Sequence, residues 1–369
     1  MAGNLIPTRA RYPIMALGIF ALLAAMWAGL LRMGWQFPPL VPTLAGVHGP
    51  LMVAGFLGTL ISMERAVALG RRWTYAAPLF SALGALVLIS GLAPIAGALL
   101  VTLGSVGMVA IFVVIVRRQT VLFTITMALG AACWLIGNGM WLFGAPISRV
   151  VLWWAAFLVL TIVGERLELS RLLRLSRRTE ILFLASIGIF LLGLVADFIE
   201  GAVLTSGTDA GTRIAGAGMI AMALWLLRYD IARRTVRQTG LTRFIALALL
   251  AGYGWLLFGG LLRVMLGGMT AGAQYDAMLH TVFLGFVMSM IFGHAPIILP
   301  AVLGRAMRYS PLFFAHLALL HLSLILRVAG DLSGVLALRQ WGGMFNVIAV
   351  LLFLFATARA MRAGTHTTP

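Results

Sequence analysis

Lysine is absent from this chain, cysteine occurs once, and only ten of its 369 residues are acidic. Each scarcity removes a class of protein. Charged residues make up 10% of the sequence against 62% hydrophobic, too few to clothe a soluble domain in the mixed charged surface it needs. The single cysteine, Cys133, lies inside an apolar run. That excludes a disulfide framework, a thiolate zinc cluster and covalent haem attachment through CxxCH, so any haem would be held non-covalently. All 27 basic residues are arginine, a usage that most simply reflects a GC-rich genome. A net charge of +17 can signal a nucleic-acid partner, but these arginines sit in short runs between hydrophobic segments, where membrane topology accounts for them. No nucleic-acid partner is expected. There is also no phosphate-binding glycine loop, no Ser/His/Asp set and no carboxylate pair placed as in a hydrolase.

What the chain does have is apolar runs of about 20 residues from end to end, the length that crosses the hydrocarbon core of a bilayer. They predict helices over 13–33, 42–69, 75–92, 97–116, 120–143, 148–170, 181–201, 212–228, 242–266, 274–303, 311–329 and 337–359. The expected fold is therefore an all-α, polytopic membrane protein, with residues 1–369 as one transmembrane domain. The basic start, Met1 to Arg11, runs into a first helix that continues past Trp27 without a convincing cleavage site, so that helix is expected to be retained. With the N-terminus inside, 21 arginines fall on the cytoplasmic side or at inner helix ends and 6 on the other. This bias places the chain in a bacterial inner membrane with both termini cytoplasmic. A faint repeat is also legible. Glu64-Arg65 and Glu165-Arg166 each close an apolar run before a basic loop, and His280-Thr-Val-Phe-Leu-Gly echoes His48-Gly-Pro-Leu-Met-Val-Ala-Gly. The pattern suggests three four-helix units, about 13–116, 120–228 and 242–359, in a pseudo-threefold arrangement.

Ionisable groups at bilayer depth are costly and mark candidate sites. Five of the six histidines, His48, His280, His294, His316 and His321, fall within predicted spans. Five together, with few carboxylates nearby, point to ligands more than to packing. His48 and His280 each lie about six residues into a span that starts on the outer side, at one level, as axial ligation of a haem between two helices requires. Arg263 and Arg327, with Arg32, end near the same face and could pair with haem propionates, or simply cap helices at the headgroups. His294 lies about 21 Å deeper than His280. With His321, His316, Glu64 and Glu165 it could form a second, inner site that binds copper, another metal or a second haem, or that passes protons. Pro50 and Pro296 each follow a candidate histidine by two residues and interrupt a helical hydrogen bond there.

The segments His48-Gly-Pro-Leu-Met-Val-Ala-Gly-Phe-Leu-Gly, Leu279-His280-Thr-Val-Phe-Leu-Gly-Phe and Gly293-His294 resemble the NnrS family of haem-containing membrane proteins, associated with nitric oxide in denitrifying bacteria. More distantly, the helix count and the facing histidines are similar to the catalytic subunit of heme-copper oxidases and nitric oxide reductases. The resemblance implies one or two b-type haems, His48 and His280 as haem ligands, His294 as a ligand or site residue, and a diatomic gas or an electron donor as partner. It implies a haem-dependent oxidoreductase or a gas-binding or electron-carrying relative of one. The copper-binding histidines of the oxidases are missing, since the sixth run offers Glu165 and no histidine. The competing reading is a proton-coupled transporter that uses the buried His and Glu residues.

Overall fold

The computed structural model describes residues 6–170, 173, 175–203 and 208–364, and these contain helices and no strand. Twelve helices are long and apolar enough to span a membrane. They are α1 (Thr8–Arg32), α2 (Leu44–Leu69), α3 (Arg72–Ser90), α4 (Pro94–Arg118), α5 (Leu122–Leu142) and α6 (Ile147–Ser170). The second six are α7 (Arg177–Gly201), α8 (Ala210–Tyr229), α9 (Gly240–Leu266), α10 (Gly272–Leu303), α11 (Phe313–Ser333) and α12 (Leu336–Gly364). The protein is thus an all-α, multi-pass membrane protein. Every expected run becomes a helix, and most ends agree within a few residues. α1 begins at Thr8 rather than Pro13, because Pro13 is accommodated inside the helix and Pro7 stands immediately before it.

The chain forms two compact units, residues 1–157 with 297–306, and residues 158–296 with 307–369. In the first, the end of α10 is tied to α1, where Arg11 donates to the Val302 carbonyl and Tyr12 to that of Leu303, each at 3.0 Å. In the second, small residues let neighbouring backbones touch. A Cβ on Gly218 of α8 would lie 2.5 Å from the Phe190 backbone of α7, and one on Gly342 of α12 would lie 2.4 Å from the Arg327 nitrogen of α11. Membrane helices pack through such close approaches because lipid tails give apolar side chains no reason to leave them. The outward surfaces keep large apolar groups such as Phe20, Leu192 and Leu322 exposed, as a lipid-facing surface requires.

Two helices depart from α geometry at corresponding places. α2 becomes π-helical over Leu51–Gly58 and α10 over Thr281–Met288, eight residues each. A proline precedes only the first, so proline is not the shared cause. What the two stretches share is Gly-Phe at their fifth and sixth positions, Gly55-Phe56 and Gly285-Phe286, followed by a hydroxyl residue just past the end, Thr59 and Ser289. π-turns in otherwise regular helices are rare and concentrate at functional sites.

Candidate functional site

His48 lies three residues before the π stretch of α2, and His280 one residue before that of α10. His48 falls in the first compact unit and His280 in the second. The His48 Nδ1 is 2.7 Å from the Ala25 carbonyl of α1. A carbonyl can only accept, so Nδ1 carries a proton, and in the neutral ring the lone pair is on Nε2. The same reasoning holds for His280, whose Nδ1 donates to the Asp276 carbonyl at 2.9 Å, and for His294, whose Nδ1 donates to the Met290 carbonyl at 2.8 Å. Three intramembrane histidines therefore share one tautomer. Fixing Nδ1–H on a carbonyl or carboxylate is how ligand histidines are oriented to offer Nε2 to a metal.

His280 has more support than a carbonyl. The Asp276 carboxylate lies 3.3 Å from the same Nδ1 and is held in turn by Arg327, which donates from Nε at 2.8 Å and from a terminal nitrogen at 3.0 Å. Asp276 sits one turn before His280 on α10, so a carboxylate–histidine pair is built from a single helix. Arg339 of α12 extends the network, 3.9 Å from Asp276 and 2.9 Å from Asp331. The second contact is an ion pair without hydrogen-bond geometry, and among the described residues both oxygens of the buried Asp331 lack a hydrogen-bond partner. The sequence reading did not single out Asp276, Asp331 or Arg339. It offered Arg327 for a haem propionate or as a helix cap at the headgroups, and in the structure Arg327 is bonded to Asp276. Arg263, named for the same role, is buried and donates to the Thr212 hydroxyl at 3.1 Å.

The residues expected to form an inner metal site each have contacts of their own. Among the described residues, no three of His, Cys, Asp and Glu come together as a metal site. Arg166 makes a two-point ion pair with Asp230, at 2.8 and 3.0 Å, and its remaining terminal nitrogen is 3.4 Å from the His294 Nε2. The buried Tyr253 hydroxyl lies beside this pair. His321 has the opposite tautomer to the other three. Trp255 donates to its Nδ1 at 3.0 Å, which uses that lone pair and leaves the proton on Nε2. His316 is enclosed by rings, with Phe292, Phe353, Phe313 and Phe244 at centroid distances of 4.9 to 5.9 Å. Glu64 pairs with its neighbour Arg65 at 3.1 Å, in the first unit, and Glu165 lies half-buried on α6 beside Arg166.

Spacing could have revealed Asp276, four residues before His280. Asp230 was hidden because it stands in an arginine-rich stretch that reads as a topology signal. Over residues 11–362 the chain matches a family described as Domain of unknown function (DUF8744). No curated protein matches it.

Proposed function

The chain belongs to the DUF8744 family, and for it we propose a haem-binding function in a bacterial cytoplasmic membrane, handling nitric oxide or a similar diatomic gas, or passing electrons. His48 and His280 are each an iron-ligand histidine in this reading, offering Nε2 from its own unit. One observation carries this reading. Both rings have Nδ1–H donated to a carbonyl, at 2.7 and 2.9 Å, and each stands at the head of an eight-residue π-helical stretch. Neutral imidazole with its lone pair on Nε2 is the species an iron ligand must be. At His280, Asp276 adds the carboxylate that makes a ligand imidazole more basic, and Arg327 keeps that carboxylate in place. Haem held there would supply an iron able to bind a diatomic gas or to exchange one electron. The similarity of these segments to the NnrS family supports the same reading, and the arginine asymmetry of 21 against 6 supports cytoplasmic termini.

The test is an optical spectrum of detergent-purified protein, air-oxidised and then dithionite-reduced, with haem extracted and counted per chain. The expected result is a Soret band with sharp reduced bands that His48→Ala and His280→Ala each diminish. Haem content and spectrum unchanged in both variants would sink the ligand assignment.

A second reading rests on a separate observation. The charge network of Asp276, Arg327, Arg339 and Asp331 lies within membrane spans with Arg327 and Asp331 buried, and among the described residues Asp331 has two carboxylate oxygens without hydrogen bonds. Such groups serve proton-coupled transport. Colourless protein even after haem is supplied, together with substrate-driven proton flux in vesicles, would favour that reading.

A further inference from the structure

At one end of the second unit the start of α7, the end of α8 and the approach to α9 surround a cavity of about 710 Å³. Arg228, Arg233, Arg234 and Arg237 line it, with Gln238 and Thr179. Four like charges around one cavity repel one another, and a folded chain normally answers them with carboxylates. Here the one carboxylate in the lining, Asp230, is already committed. Arg166 holds it at two points, and its Oδ1 also accepts from the Ala232 nitrogen at 2.7 Å, at the start of the short helix Ala232–Thr235. Among the described residues none of the four lining arginines has a carboxylate within ion-pair distance.

The cup is also held in shape. Trp225 of α8 donates to the Thr179 carbonyl of α7 at 2.9 Å, joining two of its walls. Arg233 donates to the Arg228 carbonyl at 2.9 Å, folding the loop back over the end of α8. The Arg228 guanidinium lies 5.2 Å from the Tyr229 ring centroid. Planar guanidiniums suit tetrahedral phosphate oxygens, which accept two parallel N–H bonds from each fork. The cavity stands at helix ends, the depth at which membrane phosphates lie, and basic pockets between membrane helices commonly take such groups. Positive topology alone would scatter arginines along a loop and would not require them to face one cavity.

We propose that this cup binds a phosphate group through Arg228, Arg233, Arg234 and Arg237, carried by an anionic phospholipid headgroup or free in solution. The experiment uses the full chain in a neutral detergent. Its thermal unfolding midpoint is followed while inorganic phosphate is added, and separately while phosphatidylglycerol is added, with a neutral diacylglycerol as control. Two variants of equal charge change are compared. Arg234→Gln/Arg237→Gln alters exposed cup residues whose side chains make no hydrogen bond among the described residues, and Arg117→Gln/Arg118→Gln alters the exposed end of α4. The cup variant is expected to need about tenfold more of the stabilising probe than wild type, with the α4 variant unchanged. Stabilisation by inorganic phosphate assigns a free phosphate, and stabilisation by phosphatidylglycerol alone assigns the headgroup. No stabilisation of wild type by either probe, or an equal loss in both double variants, overturns the proposal. If the double variant does not fold, Arg237→Gln alone gives the same reading.

Discussion

In α2 the histidine is gripped from a neighbouring helix, by the Ala25 carbonyl and by the bare flank of Gly29, where a Cβ would come within 3.0 Å of the His48 ring. In α10 the histidine is gripped from its own helix, by the carbonyl and carboxylate of Asp276, with Arg327 behind them. The backbone device is the same in both, a π-helical stretch of eight residues with Gly-Phe at matching positions. The electrostatics differ. Backbone geometry follows from where small residues permit close packing, and it can recur wherever those residues recur. The charge around a ligand is set by single side chains and can diverge between copies without disturbing the helix.

The strongest way to break this comparison is to remove the charge support from the α10 side. Arg327→Ala leaves the Asp276 carboxylate largely buried and without its two-point partner, a change that costs about 3–5 kcal/mol when a buried pair is broken. The unfolding midpoint in detergent should fall steeply. Replacing both residues by leucine should recover much of the loss, because the penalty comes from the orphaned charge. A small effect of Arg327→Ala alone would show that Asp276 does not depend on it.

The π stretches themselves come next. A Cβ on Gly285 would lie 2.5 Å from the Trp255 ring, and one on Gly58 would lie 2.4 Å from the Trp134 ring. Indole rings are large and fixed, so Gly285→Ala and Gly58→Ala should each destabilise by about 1–3 kcal/mol, the cost of overpacking a filled core. Trp255 also bonds His321, so Gly285→Ala should perturb the tryptophan environment, read by fluorescence. If either alanine is silent, the glycine in that stretch is not there for packing.

Asp276→Asn tests the chemistry rather than the fold. The amide keeps the shape but loses the charge that Arg327 holds and that faces the His280 Nδ1. Altering the group behind a metal-bound histidine typically lowers metal affinity about 10–100-fold. Haem titration of the apoprotein should show a loss of that order, with the thermal midpoint less affected than in Arg327→Ala. Unchanged haem affinity would separate Asp276 from any ligand role of His280.

The twelve helices were legible in the sequence because hydropathy and span length depend on composition, which a one-dimensional pattern carries fully. The π stretches were not. The echo between His48-Gly-Pro-Leu-Met-Val-Ala-Gly and His280-Thr-Val-Phe-Leu-Gly marked the right segments, but the π stretches begin three residues after His48 and one after His280. Within the stretches Gly55 packs against Ala85 and Gly285 against Trp255, contacts with other helices that a one-dimensional pattern does not carry. Site chemistry was legible only as far as residue type. Five histidines within the spans marked the membrane interior as a candidate site, yet their tautomers depend on whether each Nδ1 meets a carbonyl, as in His294, or an indole N–H, as in His321. The grouping of His294, His316, His321, Glu64 and Glu165 by depth could not foresee that Arg166 prefers Asp230 or that phenylalanines enclose His316.

The smallest expected effects are the sharpest on the comparison, because they differ in sign. Ser289 stands just past the π stretch of α10 and donates its hydroxyl to the Gly285 carbonyl at 2.5 Å. Where a helix widens, a carbonyl loses its usual partner, and a nearby hydroxyl can satisfy it. Ser289→Ala should therefore cost about 0.5–1.5 kcal/mol. Thr59 holds the matching position in α2, but its buried hydroxyl has no hydrogen-bond partner among the described residues, and Ser62 bonds the Gly58 carbonyl instead. Thr59→Val exchanges an unsatisfied buried hydroxyl for a methyl of nearly the same shape, which is neutral or stabilising. Unfolding midpoints measured side by side should fall for Ser289→Ala and hold or rise for Thr59→Val. Equal losses at both sites would mean that the two stretches satisfy their carbonyls in the same way, and the difference drawn between α2 and α10 would then lie in their charges alone.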